Sequence, residues 1–125
     1  MANPKKVLIA EDSSVIQNLT RKILEVQNYK IDSAKNGQQV LDKVQKEHFD
    51  IILMDINMPI IDGMQCAREI RALDDPEKSQ IPIIAITGNA KNYTMEEFKD
   101  AGINDYLPKP LNFDELVETV RKYSP

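Results

Sequence analysis

Ile51-Ile52-Leu53-Met54-Asp55-Ile56-Asn57-Met58-Pro59 is an apolar run interrupted by one acid. Four consecutive large apolar residues without alternation predict a strand covered on both faces, as in a parallel sheet flanked by helices. Asp55 then closes that strand at its carboxyl end, where open α/β sheets place their ligands, and Pro59 and Gly63 mark the turn into the next helix. A lone strand-end Asp caps a turn or helix as readily as it performs chemistry. The rest of the chain decides between the two.

Upstream, Val7-Leu8-Ile9-Ala10 is a second continuous apolar strand, and it too ends in acid, at Glu11-Asp12. Ser13 or Ser14 can cap a helix whose apolar stripe is Val15, Leu19, Ile23 and Val26, widened by Ile16. Tyr29 to Ala34 mixes apolar and charged residues and predicts an edge strand. Asn36-Gly37 opens a helix through Val40, Leu41 and Val44.

Downstream, Asp62-Gly63 begins a helix with Met64, Ala67, Ile70 and Leu73 inward, followed by a change-tolerant loop from Asp74 to Gln80. Ile81 to Ile86 supplies a further buried strand, which Thr87-Gly88-Asn89 ends. Thr94-Met95-Glu96-Glu97 fits a capping box, so a short helix runs to Ala101 and stops at Gly102, with a thin inward face of Met95, Phe98 and Ala101. Asp105-Tyr106-Leu107 is a last short strand, and Asn112 with Glu115 marks a final helix bearing Phe113, Leu116, Val117 and Val120. Five strands alternating with five helices predict an α/β fold, a doubly wound parallel sheet of order 2-1-3-4-5, because each crossover must be right-handed and long enough to hold a helix.

The 125 residues read as one domain, residues 1–125, large enough for a core without a metal or disulfide staple. Sixteen basic against 20 acidic residues give a net charge of -4 without a block of like charge, which argues against nucleic acid as a direct partner. The single cysteine, Cys66, has no internal partner and suits a reducing cytoplasm. No apolar run approaches the roughly 18 residues that span a bilayer, so no membrane role is expected. His48, in a polar stretch without a sequence partner, reads as a solvated surface residue, and Cys66, Met54, Met58 and Met64 read as packing residues.

The strand ends carry Glu11, Asp12, Asp55, Thr87 and Lys109, and the predicted strand order gathers all five around one crevice. Three carboxylates a few ångströms apart repel by about 4 kcal/mol per pair at 4 Å in an effective dielectric of 20. A divalent cation relieves that repulsion, and an all-oxygen set without His or Cys points to Mg²⁺, with Mn²⁺ possible. Asp55 can then act as a carboxylate nucleophile toward phosphorus, forming an acyl phosphate. The Lys109 ammonium would steady the phosphoryl oxygens, and the Thr87 hydroxyl would add a hydrogen bond.

Over nearly its whole length the chain resembles the response-regulator receiver domains of two-component signalling, the chemotaxis-regulator-like group with a flavodoxin-like fold. The resemblance rests on Glu11-Asp12 after the first strand, Met54-Asp55-Ile56-Asn57-Met58-Pro59 followed by Asp62-Gly63, Thr87-Gly88, and Tyr106-Leu107-Pro108-Lys109-Pro110. It implies that Asp55 accepts a phosphoryl group from a phosphohistidine on a histidine kinase or a histidine phosphotransfer protein. It implies a Mg²⁺ site of Glu11, Asp12, Asp55 and the Asn57 backbone carbonyl, with Glu11 acting through water. It also implies a Thr87–Tyr106 switch pair, a cis Lys109-Pro110 bond, and influence of Asn57 and Asn89 on how long the phosphoryl group survives. The output face toward an effector would comprise the helix from Met95, the strand at Tyr106 and the helix from Phe113.

Three alternatives share parts of this pattern. A haloacid-dehalogenase-like phosphatase also uses a strand-end Asp with Mg²⁺, but the general-acid Asp two residues on is here Asn57. A flavodoxin-like FMN carrier would need a Ser/Thr/Gly-rich loop where Glu11-Asp12 stands. A docking-only receiver would leave the acidic set without a role.

Overall fold

The computed structural model describes residues 4–88 and 93–125. Asn89 lies outside the described residues. Among them are β1 (Lys6–Ala10), α1 (Ser14–Val26), β2 (Lys30–Ala34), α2 (Gly37–Lys46), β3 (Ile51–Asp55), α3 (Gly63–Arg71), α4 (Pro76–Ser79), β4 (Ile83–Thr87), α5 (Met95–Asp100), β5 (Asp105–Pro108) and α6 (Phe113–Tyr123).

The five strands form one sheet of order β2-β1-β3-β4-β5, every pair parallel. Continuous apolar strands make two cores, one on each face. Leu8, Ile52, Met54, Ile83 and Ala85 face α2, α3 and α5. Val7, Ile9, Ile51, Leu53, Ile84 and Ile86 face α1 and α6. Alternate side chains along a strand point to opposite faces, so an unbroken apolar run is what burial on both faces requires. The β2 edge is more exposed, as its mixed composition predicts.

The chain-order reading differs from the structure in three places. The stripe Val15, Leu19, Val26 on α1 is exposed, Val15 at 73% and Val26 at 82%. The helix buries Gln17, Thr20 and Leu24 instead. Gln17 lies beside the ends of β1 and β2, and its Nε2 donates to Glu11 O (3.1 Å) and to Ala34 O (3.2 Å), which also accepts from Glu11 N–H (3.0 Å); Thr20 Oγ1 donates to Ile16 O. Polar satisfaction there outranks apolar burial. Second, the described residues hold six helices, not five. The loop at Asp74 to Gln80 contains the one-turn α4, begun by Pro76 after Asp75, whose side chain accepts from Glu77 N–H. Third, His48 is exposed at the surface as expected, but it has a partner, Asp50 Oδ1 at 3.0 Å.

The thin helix is as expected: Thr94 and Glu97 form a capping box and Phe98 is buried. Gly102 follows at φ +92. Among the described residues, no helix is long and apolar enough to cross a membrane.

Candidate functional site

Strand register delivers the site. Ala10 pairs with Met54 and Asp55 with Ile86, so the ends of β1, β3 and β4 lie side by side. The turn after β3 is fixed tightly: Gly63 N–H donates to Ile56 O (2.9 Å), and a Cβ on Gly63 would lie 2.7 Å from Asp55 O. Only glycine lets α3 begin this close to the strand end. Asp62 then caps α3, its Oδ1 accepting from Gln65 N–H at 2.8 Å.

Glu11, Asp12 and Asp55 each offer a carboxylate oxygen, and these oxygens all lie within 4.8 Å of one another. Glu11 and Asp55 are buried and Asp12 is exposed. Lys109 Nζ stands 3.2 Å from Glu11 Oε1 and 3.2 Å from Asp55 Oδ2. Asp55 Oδ1 accepts from Asn57 N–H at 3.0 Å, and Glu11 Oε2 accepts from Ser13 N–H at 3.2 Å.

Burial pushes the Glu11 carboxyl up to about 7; the Ser13 N–H opposes this, and the neighbouring Asp55 adds to it. Burial disfavours the Lys109 charge, but the hydrogen bond and charge of Asp55, then Glu11, outweigh it and hold the ammonium above its ordinary value. With all three acids ionised, three carboxylates against one ammonium leave a formal charge of two negatives, in an all-oxygen pocket. That donor set fits a hard divalent cation of the Mg²⁺ kind.

Thr87 is fully buried at the end of β4. Its carbonyl accepts from Lys109 N–H at 2.8 Å, which seats the lysine next to the acids. The Lys109-Pro110 bond is cis. Asn57 reaches Asp55 through its backbone. Tyr106 stands apart from the cluster: it is 37% exposed and stacks on Phe98 with centroids 5.4 Å apart. Cys66 is buried, its Sγ 3.6 Å from Gly37 O, and burial pushes its thiol up to about 12, so it is inert at neutral pH.

Sequence reasoning missed Gln17, which braces the Glu11 backbone. Its period with Thr20 and Leu24 was the available signal, masked by the competing apolar stripe. It also missed the outer surface of α1. Val15, Ile16, Leu19, Leu111 and Phe113 line a groove of about 220 Å³ that Lys109 borders.

The family model for the response regulator receiver domain matches residues 7–121. The hybrid signal transduction histidine kinase I of Dictyostelium discoideum is 39% identical over 122 residues, covering 94% of this chain and 7% of that protein. The chain thus spans a small fraction of the curated kinase it matches. A receiver domain of a Pseudomonas aeruginosa sensor histidine kinase, solved with a magnesium ion coordinated in its active-site cleft, is 33% identical with a TM-score of 0.87, covering 96% of this chain and 97% of that one. The receiver domain of the Saccharomyces cerevisiae response regulator Ssk1, co-crystallised with the histidine phosphotransfer protein Ypd1, is 26% identical with a TM-score of 0.87, covering 99% of this chain and 92% of that one.

Proposed function

The chain belongs to the response regulator receiver family, phosphoacceptor signalling domains and not catalytic enzymes, and from that premise we propose that Asp55 takes a phosphoryl group from a phosphohistidine on a histidine kinase or a phosphotransfer protein. The observation that carries this is the Lys109 ammonium shared at 3.2 Å by Glu11 and Asp55, with Asp12 in the same cluster.

Asp55 is the attacking carboxylate, its Oδ1 held by the Asn57 N–H and its Oδ2 by the Lys109 ammonium. Its lone pair forms the O–P bond as the N–P bond of the phosphohistidine breaks, and the bonding electrons return to the imidazole. The phosphoryl oxygens then lie next to the ammonium, whose charge offsets the charge they carry. Glu11, Asp12, Asp55 and the Asn57 carbonyl would hold Mg²⁺, which supplies charge neutralisation in a phosphoryl transfer that depends on positioning and electrostatics. Buried Thr87 lies at the same strand end and would bond a phosphoryl oxygen through its hydroxyl.

The readout is the face of α5, β5 and α6. A short helix anchored by one fully buried side chain, Phe98, is an element of low local stability. Tyr106, stacked on Phe98 and partly exposed, would follow Thr87 inward. The donor would be a protein whose apolar surface covers the α1 groove, since Val15, Leu19 and Phe113 are exposed at the rim of the acidic cleft. Residues 1–125 work as one receiver domain. A cytoplasmic location accords with a lone buried thiol.

The test is intact mass after incubation with phosphoramidate or acetyl phosphate and Mg²⁺, beside Asp55→Asn. One phosphoryl group gained, dependent on metal and on Asp55, is the expected result. No gain with either donor favours the docking-only reading.

A further inference from the structure

Gln17 is a polar side chain only 7% exposed, on the face of α1 that also buries Thr20 and Leu24. A buried amide costs free energy unless it is hydrogen-bonded, and its Nε2 carries two N–H groups to place. It donates to Glu11 O at 3.1 Å and to Ala34 O at 3.2 Å. Thr20, one turn further along the same face, donates to Ile16 O within its own helix. Gln17 instead reaches out of α1 to the ends of two strands.

The carbonyl it holds has a particular position. Glu11 O belongs to the peptide group that joins Glu11 to Asp12, and such a group is planar. Fixing its oxygen therefore fixes the plane from which two of the three clustered acids project. Glu11 is held at its other polar atoms too: its N–H by Ala34 O (3.0 Å), its Oε2 by Ser13 N–H (3.2 Å) and its Oε1 by Lys109 (3.2 Å). Ala34 O accepts from both Gln17 and Glu11, so the last residue of β2 anchors the arrangement.

These contacts work against a repulsion. Carboxylate oxygens of Glu11, Asp12 and Asp55 lie within 4.8 Å of one another, and ionised acids so placed push apart. A cation binds more tightly when its ligands already stand together, because binding does not then have to gather them. Groups one step behind the ligands set metal affinity in this way. Gln17 is neutral and bonds main-chain oxygens, so removing its amide leaves the charge of the pocket unchanged.

We infer that Gln17 is a positioning residue for the divalent cation: its amide orients the Glu11–Asp12 peptide so that the acids meet the metal already assembled. The inference rests on the reading of Glu11, Asp12 and Asp55 as the metal site.

The test is Mn²⁺ binding, followed by the electron paramagnetic resonance signal of the free ion, in unmodified protein, Gln17→Met and Leu24→Val. Gln17→Met keeps the length of the side chain and loses both donors. Leu24→Val trims the same buried face of α1 two turns on and spares the amide. Gln17→Met is expected to raise the half-saturating Mn²⁺ concentration about tenfold, the lower end of the cost of losing such a supporting group. Leu24→Val should stay within about twofold, as for a distant site. A Gln17→Met that binds Mn²⁺ as tightly as the unmodified protein, or an equal weakening in Leu24→Val, overturns the inference. Unmodified protein that binds no Mn²⁺ overturns the metal-site reading, and the inference with it. A second measurement needs no variant. In a Mg²⁺ titration of isotope-labelled unmodified protein followed by NMR, the Gln17 side-chain amide resonances should shift with the same midpoint as the Asp12 backbone N–H. The side-chain amides of Gln45 and Gln80, away from the strand ends that carry the acids, should stay fixed. Gln17 resonances that do not move overturn the inference even if Gln17→Met does not fold.

Discussion

Two partly buried cations fasten the two ends of the sheet in opposite ways. At the amino-terminal end of the strands, Arg71 donates to Gly102 O (2.9 Å), Ser79 O (2.7 Å), Ile81 O (2.8 Å) and Asn104 Oδ1 (3.0 Å). Asn104 Oδ1 also accepts from Ile83 N–H. Burial lowers the guanidinium from its ordinary value, without a carboxylate to offset it. Every partner is neutral, and the planar fork ties α3 to the segments entering β4 and β5. At the carboxyl end, Lys109 faces two buried carboxylates with a third close by. The Arg71 cluster is complete in itself. The Lys109 cluster is short of positive charge, a shortage that a divalent cation would make good. Buried charge arranged for structure closes its hydrogen bonds; buried charge arranged for a ligand leaves a deficit.

The largest expected effect breaks the complete end. Arg71→Met strands three carbonyls and should lower stability by about 3 kcal/mol in urea unfolding, while phosphoramidate still labels Asp55 in the folded fraction. An unchanged midpoint would mean that the hydrophobic layers alone hold that end. Gly102→Ala should act in the same direction, because a Cβ there meets Arg71 Cγ at 2.4 Å and φ is +92.

The deficient end should respond with the opposite sign. In chelator at pH 8, Asp55→Asn removes one of the clustered acids and should raise stability by about 1–2 kcal/mol, a few degrees in Tm. Mg²⁺ should raise the Tm of the unmodified protein by mass action and that of the variant much less. If Asp55→Asn melts lower than the unmodified protein in chelator, the acids are not strained together.

A pH series sharpens the same contrast. The Glu11 carboxyl moves from 4.5 in the unfolded chain to about 7 in the fold, so between those values the folded state holds a proton that the unfolded chain has lost. Its contribution to stability is therefore full below about 4.5 and lost as the pH rises toward about 7. In chelator the Tm should fall across that window, and Glu11→Gln should flatten the slope. Asp32 and Asp50 are both held below their ordinary value of 3.8: burial raises them, but hydrogen bonds and the charges of Lys43 and His48 prevail. Their contribution is present above that value and lost below it, outside the window.

The smallest effect belongs to a surface pair. Asp32 and Lys43 lie 2.7 Å apart with both side chains about a third exposed, and Lys43→Met should cost under about 1 kcal/mol, less still in high salt. A larger loss would show that the β2 edge depends on charge as the site does.

Five strands, their order and the meeting of Glu11, Asp12, Asp55 and Lys109 were legible because each depends on short local rules: unbroken apolar runs, crossovers of one hand, and polar residues at fixed places after a strand. The inward face of α1 was not legible. Val15, Leu19 and Val26 have the right period, yet Gln17 is buried with its amide bonded to two strand-end carbonyls, Glu11 O and Ala34 O, and those carbonyls come together only when β1 and β2 pair. The one-turn α4 was equally hidden, since a turn led by Asp75-Pro76 reads as loop until its last carbonyl, Ser79 O, meets Arg71.

By itself, then, the sequence determined the class of fold, the acids at the strand ends and the chemistry that such acids, a threonine and a lysine can share, since these follow from residue type and spacing. Tertiary structure alone decided which face of α1 meets solvent, how far Lys109 stands from each acid, and that Ile60 is held exposed at φ +73. Those depend on contacts between segments far apart in the chain, and no local pattern encodes a distance between them.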